Sequence, residues 1–157
     1  MSHAGKVFAV AVLAALAWAV APVAEAQPPI RIGASLAQTG AVAAPVQNQL
    51  RGYQLCVKHT NEKGGVLGRK VELVDYDDGS DPATAVRLYE KLITQDKVDL
   101  VLGPYSSAIT DAVAEVSEKH KLPMVAPLAT ATSIYRKGRK FIFQVLPLRR
   151  PAWRGST

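Results

Sequence analysis

The stretch that most constrains this chain is the apolar run Leu100-Val101-Leu102 and the way it stops. Gly103-Pro104 halts it, Tyr105-Ser106-Ser107 follows, and a helical pattern begins at Ala108. A strand from Val98 to Leu102 this uniformly apolar has to be covered on both faces, which is the signature of a parallel sheet interior. A tight turn then feeds a helix whose first residues carry hydroxyls. Helix starts present unpaired backbone N–H groups and the positive end of the helix dipole. Such a turn at the carboxyl end of a parallel strand suits a carboxylate or phosphate. The same two serines also fit a simpler role, with Ser106 or Ser107 capping its own helix.

The rest of the chain repeats that alternation. Ile30–Ser35 reads as a first strand, and a small-residue loop over 36–44 contains Gly40. Pro45 suits a first helical turn, and Val46, Leu50, Tyr53 and Val57 then form one apolar helical face. Cys56 lies beside that face as a packed thiol, and Gly64-Gly65 closes the helix. Val71–Asp77 is a second strand. Ser80 or Asp81 caps the next helix, with Pro82 at its first position and Ala85, Val86, Leu88, Tyr89, Leu92 and Ile93 on its inner side. A third helix runs from about Ser107 to His120, with Ile109, Ala112, Val113 and Val116 inward. A short strand covers 122–127, a second hydroxyl-bearing loop Leu128-Ala129-Thr130 follows, and a fifth strand spans 141–147. Strands alternating with helices of this length predict an α/β fold, a doubly wound parallel sheet with right-handed crossovers and helices on both faces.

Composition narrows the function. The formal charge is +6, but its placement argues against nucleic acid. Arg149, Arg150 and Arg154 sit at the end of the chain, Arg136, Lys137, Arg139 and Lys140 crowd one loop, and no aromatic-interleaved basic face appears. One cysteine excludes a disulfide within the chain, and the three histidines lack ligand spacing, so neither a metal nor another cofactor is expected. The first 26 residues read as a signal peptide: Lys6, an apolar Val7–Val20, and Ala24-Glu25-Ala26 before cleavage ahead of Gln27. A transmembrane anchor is the competing reading, but the run is short and Pro22 closes it. The mature protein is therefore expected outside the cytoplasm. The last ten residues, 148–157, lose all periodicity and read as a disordered tail foreign to the fold.

Enzyme chemistry finds little support. No Gly-x-Gly-x-x-Gly follows the first strand and no Gly-Lys-Ser/Thr occurs. His120 lies about four helical turns beyond Ser107, roughly 20 Å, too far for a hydrolase pair. Asp75, Asp77 and Asp78 could form a magnesium pocket, but a solvated strand end describes them better. Binding is left. Ser107 and Thr130 end neighbouring strands if the sheet has the usual order. A serine hydroxyl with helix-start N–H groups would hold a carboxylate, while the Leu128 carbonyl and Thr130 hydroxyl would suit an ammonium group.

Several motifs together resemble one family. Arg31–Leu36 with Thr39-Gly40, Asn61–Gly68, Tyr76–Pro82, Gly103–Ser107 and Pro127–Thr130 are similar to the periplasmic substrate-binding proteins of ABC importers for branched-chain amino acids. The resemblance implies a type I periplasmic binding fold, a periplasmic location, and a binding protein rather than an enzyme. It places residues 27–147 within the N-terminal lobe, which is incomplete, and implies permease subunits as partners. Ser107 matches the serine on the α-carboxylate, Leu128 a carbonyl on the amino group, and Thr130 a threonine touching both; Ser106 and Ala129 flank them as site residues. Pro45 stands where several members carry an aromatic over the ligand side chain, so amino acids, amides and other small carboxylates all remain candidate ligands. One wall of a two-lobed cleft is expected to bind weakly or not at all by itself. A ligand-sensing module built on the same lobe is the alternative function.

Overall fold

The computed structural model describes residues 27–146; the leader at 1–26 and the tail at 148–157 lie outside them. Five parallel strands form one sheet: β1 Ile30–Leu36, β2 Val71–Asp77, β3 Leu100–Leu102, β4 Met124–Ala126 and β5 Ile142–Gln144. Four helices alternate with them: α1 Ala43–Glu62, α2 Pro82–Thr94, α3 Ser107–His120 and the single turn α4 Thr132–Tyr135. Strand order is β2-β1-β3-β4-β5. The doubly wound α/β expectation is met, and β3 and β4, which precede the two hydroxyl-bearing turns, are adjacent.

Connection handedness decides where the helices lie. The step from β1 to β2 runs one way across the sheet, and every later step runs the other way. Right-handed crossovers put helices of opposite steps on opposite faces. Helix α1 accordingly packs alone on one face, through Val46, Leu50 and Tyr53 against Ala34, Leu36, Leu73 and Leu102. On the other face α2 and α3 bury Val101, Met124, Ala126 and Ile142 with Tyr89, Leu92, Ile109 and Val113.

That asymmetry corrects the expectation that β3 is covered twice. Val101, facing α2 and α3, is 0% exposed, whereas Leu100 and Leu102 on the opposite face are only partly buried. Cys56 is also exposed rather than packed, because α1 presents that side to the same uncovered half of the sheet. The predicted strands at 98–102, 122–127 and 141–147 are each three residues long in the structure. Val98 is buried but outside the ladder, its N–H donating to the Leu92 carbonyl at 3.2 Å.

Helix caps follow local chemistry. Asp81, rather than Ser80, caps α2, its carboxylate accepting from the Thr84 N–H at 2.7 Å with Pro82 beside it. Ser80 takes a left-handed φ of 66° instead and donates its hydroxyl to the Thr39 carbonyl at 3.0 Å. Helix α3 ends on Lys121 in the left-handed conformation, which frees the chain for β4.

Candidate functional site

The carboxyl edge of the sheet is built by the ends of β1, β3 and β4. At its centre, Gly103 donates its N–H to the Val125 carbonyl at 2.7 Å. A Cβ at this position would meet the Ala126 Cα at 3.1 Å, so glycine lets the end of β3 close onto β4. Two tyrosines then grip the strand end from opposite faces. Tyr89, from α2, donates its hydroxyl to the Leu102 carbonyl at 2.5 Å. Tyr53, from α1, donates to the Gly103 carbonyl at 3.3 Å and accepts from the Gln49 amide at 2.7 Å. Burial pushes the Tyr53 hydroxyl up to about 12 against the opposing Gln49 hydrogen bond, so at neutral pH it is a donor. Gln49 is a buried polar residue on α1 that the apolar periodicity could not flag; its amide also reaches the Gly103 carbonyl at 3.2 Å.

The two serines divide their roles. Ser106 adopts φ 75° and its Oγ accepts from the Ile109 N–H at 3.2 Å, so its hydroxyl caps α3. Thr110 fastens the same turn by donating to the Pro104 carbonyl at 3.2 Å within the core. Ser107, half-buried, turns the other way: its Oγ accepts from the Ala131 N–H at 3.2 Å. Its own hydroxyl proton stays available for another acceptor. Among the described residues, the backbone N–H groups of Ser107 and Ala108 meet no acceptor.

The second turn is arranged to match. Ala129 is fully buried and its carbonyl accepts from the Tyr135 hydroxyl at 2.8 Å. That bond anchors the loop from within. Leu128 and Thr130 are half-buried, and neither the Leu128 carbonyl nor the Thr130 hydroxyl is paired among the described residues. The edge thus brings together the Ser107 hydroxyl, two helix-start N–H groups and the loop carrying Leu128 and Thr130. Ser106 and Ala129 flank them, the Ser106 hydroxyl accepting from Ile109 and the Ala129 carbonyl from Tyr135.

Acids at the end of β2 are already engaged. Gln38 donates to Asp75 at 2.8 Å, Thr39 donates its hydroxyl to Asp77 at 2.7 Å, and Asp78 accepts from the Ser35 hydroxyl at 2.7 Å and the Ser80 N–H at 3.0 Å. Asp78 and Ser35 are buried, and burial raises the Asp78 carboxyl above the usual range despite the Ser35 hydrogen bond. The expectation of a solvated acidic strand end therefore fails at Asp78, which closes the turn beneath β1. No group of three or more potential metal ligands forms among the described residues. Two cations of the basic loop are paired with α3: Lys137 and Arg139 both contact Asp111, and Arg139 also contacts Glu115.

A model of the periplasmic binding protein family matches residues 29–150. The chain belongs to the periplasmic binding protein family. A Leu/Ile/Val-binding protein of Rhizobium johnstonii is 37% identical to it over 120 residues, covering 76% of this chain and 32% of that protein. The solved structure of a branched-chain amino acid transporter substrate-binding protein from Streptococcus pneumoniae, in complex with isoleucine, matches with a TM-score of 0.73 and 32% identity, covering 76% of this chain and 34% of that one. A solute-binding protein from R. palustris, in complex with benzoate, matches with a TM-score of 0.66 and 28% identity, covering 74% and 32%. This periplasmic binding protein spans about a third of the length of the curated relatives it matches. Its relatives are substrate-binding proteins of branched-chain amino acid ABC transporters, not enzymes, and its parallel sheet is that of type I periplasmic binding proteins.

Proposed function

We propose that this chain supplies one wall of an extracytoplasmic solute-binding site, taking a branched-chain amino acid or a similar small carboxylate for an ABC importer. The observation that supports this reading is the Ser107–Ala131 hydrogen bond, which ties the start of α3 to the loop that carries Leu128 and Thr130. The carboxylate would accept from the Ser107 hydroxyl and from the Ser107 and Ala108 N–H groups. The ammonium group would donate to the Leu128 carbonyl and Thr130 hydroxyl. Isoleucine and benzoate, carried by two of the relatives, share only the carboxylate. The Ser107 half of the wall is therefore the general part, and the Leu128–Thr130 half selects amino acids.

Each charge-assisted hydrogen bond contributes about 1.5–3 kcal/mol. Two or three from one wall, set against the cost of immobilising a solute, leave affinity well short of the micromolar range of about −8 kcal/mol. The membrane partner in this reading is the importer's permease, the compartment is the periplasm, and residues 1–26 are the export signal. The decisive experiment grafts residues 27–146 into the Rhizobium johnstonii relative in place of its matching region and titrates isoleucine by calorimetry. Binding that falls about 10–100-fold on Ser107→Ala, in a chimera that is still folded at the temperature of the titration, supports the proposal. Equal affinity with and without the Ser107 hydroxyl refutes it.

A further inference from the structure

The amino-terminal edge of the sheet, opposite the edge that carries Ser107, bears a hairpin between α1 and β2 that its own sequence disfavours. Val66 and Arg69 exchange backbone hydrogen bonds at 2.8 and 3.0 Å, which leaves Leu67 and Gly68 as a two-residue turn. Both take left-handed backbones, φ 53° and 75°. This is the type I′ conformation, which glycine, asparagine and aspartate adopt readily and leucine does not. Leu67 is nonetheless 91% exposed, with Val66 beside it at 43%. A side chain that open to solvent has little core packing to offset the strain. The hairpin is also firmly mounted. The Arg69 guanidinium donates to the Pro28 and Pro29 carbonyls at 2.7 and 3.2 Å, and the Asn61 amide pairs with both backbone groups of Val71 at 2.8 Å.

Around this tip the edge is basic. Lys63 follows α1, and Lys70, Lys97, Lys121 and Lys140 precede β2, β3, β4 and β5 in turn. All five are exposed, and none forms an ion pair among the described residues. Acids of the same edge are held by donors of the fold: Asp96 accepts from the Tyr76 hydroxyl, Asp99 from the Arg31 N–H and Glu118 from the Phe141 N–H. The attraction of a helix C-terminus for cations accounts for Lys63 and Lys121, which cap α1 and α3, but not for the other three. From β2 to β5 is four strand spacings, about 19 Å, so the lysines form a broad front rather than a pocket for one small anion.

We infer that this edge docks on an anionic lipid surface, with Leu67 and Val66 entering the headgroup layer and the five lysines facing lipid phosphates. Interfacial binding combines buried apolar area with attraction between cations and anionic lipid, and the edge supplies both side by side. Nucleic acid would offer phosphates but no apolar layer for Leu67. The carboxyl edge, with Ser107 and Thr130, lies at the other end of the strands, so docking leaves it facing solvent. The inference is independent of the solute proposed above and needs only the export already proposed.

The test sediments the full chain with vesicles of phosphatidylglycerol and phosphatidylcholine in about equal parts. Residues 1–26 are common to parent and variants, so differences between them report the edge; a chain begun at Gln27, checked by circular dichroism, removes the leader outright. Binding is expected to weaken as salt rises. Leu67→Asn, which places a residue suited to the left-handed turn, melts at or above the parent and weakens binding about tenfold. Lys70→Gln combined with Lys97→Gln weakens it about 25-fold, at about fivefold per lysine. Either variant bound as tightly as the parent overturns the inference. So does a chain begun at Gln27 that binds equally to vesicles with and without phosphatidylglycerol.

Discussion

The Oγ of Ser107 accepts a hydrogen bond from the backbone N–H of Ala131 at 3.2 Å, across 24 residues of sequence. One atom joins the turn after β3 to the turn after β4. Ser107 is thus both a tether and a candidate ligand contact, and substitution separates the two roles. Ser107→Ala removes the acceptor and destabilises the chain by about 0.5–1.5 kcal/mol in urea denaturation. Ser107→Thr keeps the hydroxyl and restores most of that loss. A melt unchanged by Ser107→Ala would show that the two turns are held together by other contacts.

Arg139 is 4% exposed at its side chain and spans Asp111 and Glu115 on α3. It pins the loop between α4 and β5, where Glu118 also accepts the Phe141 N–H at 2.5 Å. Arg139→Ala leaves Asp111 with Lys137 alone and is expected to cost about 1–3 kcal/mol. Arg139→Lys recovers only part of this, since one ammonium cannot reach both carboxylates in the guanidinium's planar geometry. Chemical denaturation of the two variants beside the parent checks the ranking.

Asp111 is held below the usual carboxylate range, chiefly by the Lys137 hydrogen bond and then by Arg139, with burial opposing them. A depressed folded-state value means the unfolded chain binds the proton first as pH falls. The stabilisation is complete above the ordinary Asp range of about 4 and disappears as pH drops through the lowered folded value. Asp111→Asn should therefore lie below the parent in melting temperature at pH 6, with the gap narrowing towards pH 3. A gap that stays constant across that range would remove Asp111 as its source.

Asp78 gives the opposite sign. Its raised carboxyl favours the protonated form when folded, so its charge weakens the fold as pH rises from the unfolded value through the folded one. Asp78→Asn keeps one oxygen to accept from the Ser80 N–H and sets an amide N–H against the Ser35 Oγ, which can turn to accept it, and is expected to match or exceed the parent at pH 7. Asp78→Ala strands the buried Ser35 hydroxyl and loses about 1–3 kcal/mol. Thermal melts of the pair decide it, and an Asn variant as damaged as the Ala variant would contradict this account.

Gly40, at φ 87°, lets the loop after β1 lie against the turn after β2. A Cβ there would stand 2.4 Å from the Gly79 carbonyl oxygen, which a side-chain shift cannot relieve. Gly40→Ala should cost more than about 1 kcal/mol in denaturation experiments.

The existence and order of the elements were legible because β-branched alternation and helical spacing are local signals. Pro82 and Asp81 marked the start of α2 for the same reason. Lengths of β3, β4 and β5 were not: Val98 and Leu122, expected to open β3 and β4, give their N–H groups to the Leu92 and Ser117 carbonyls of the preceding helices instead of to a neighbouring strand. The burial of Asp78 depends on Ser35, 43 residues distant, and no window of sequence contains both. Cys56 and Leu102 were misplaced for a global reason: a uniformly apolar segment announces that it wants cover without saying who provides it. At the carboxyl edge of the sheet, hydroxyls near helix starts were visible. Which one caps and which one crosses to the neighbouring loop was settled by the left-handed backbone at Ser106.

Tyr89 and Tyr53 hold the consecutive carbonyls of Leu102 and Gly103 from above and below the sheet. A strand end clamped on both sides has little left to rearrange when a solute arrives. Under the proposed function it is the fixed jaw of a vice, and whatever travel capture demands falls to the jaw opposite.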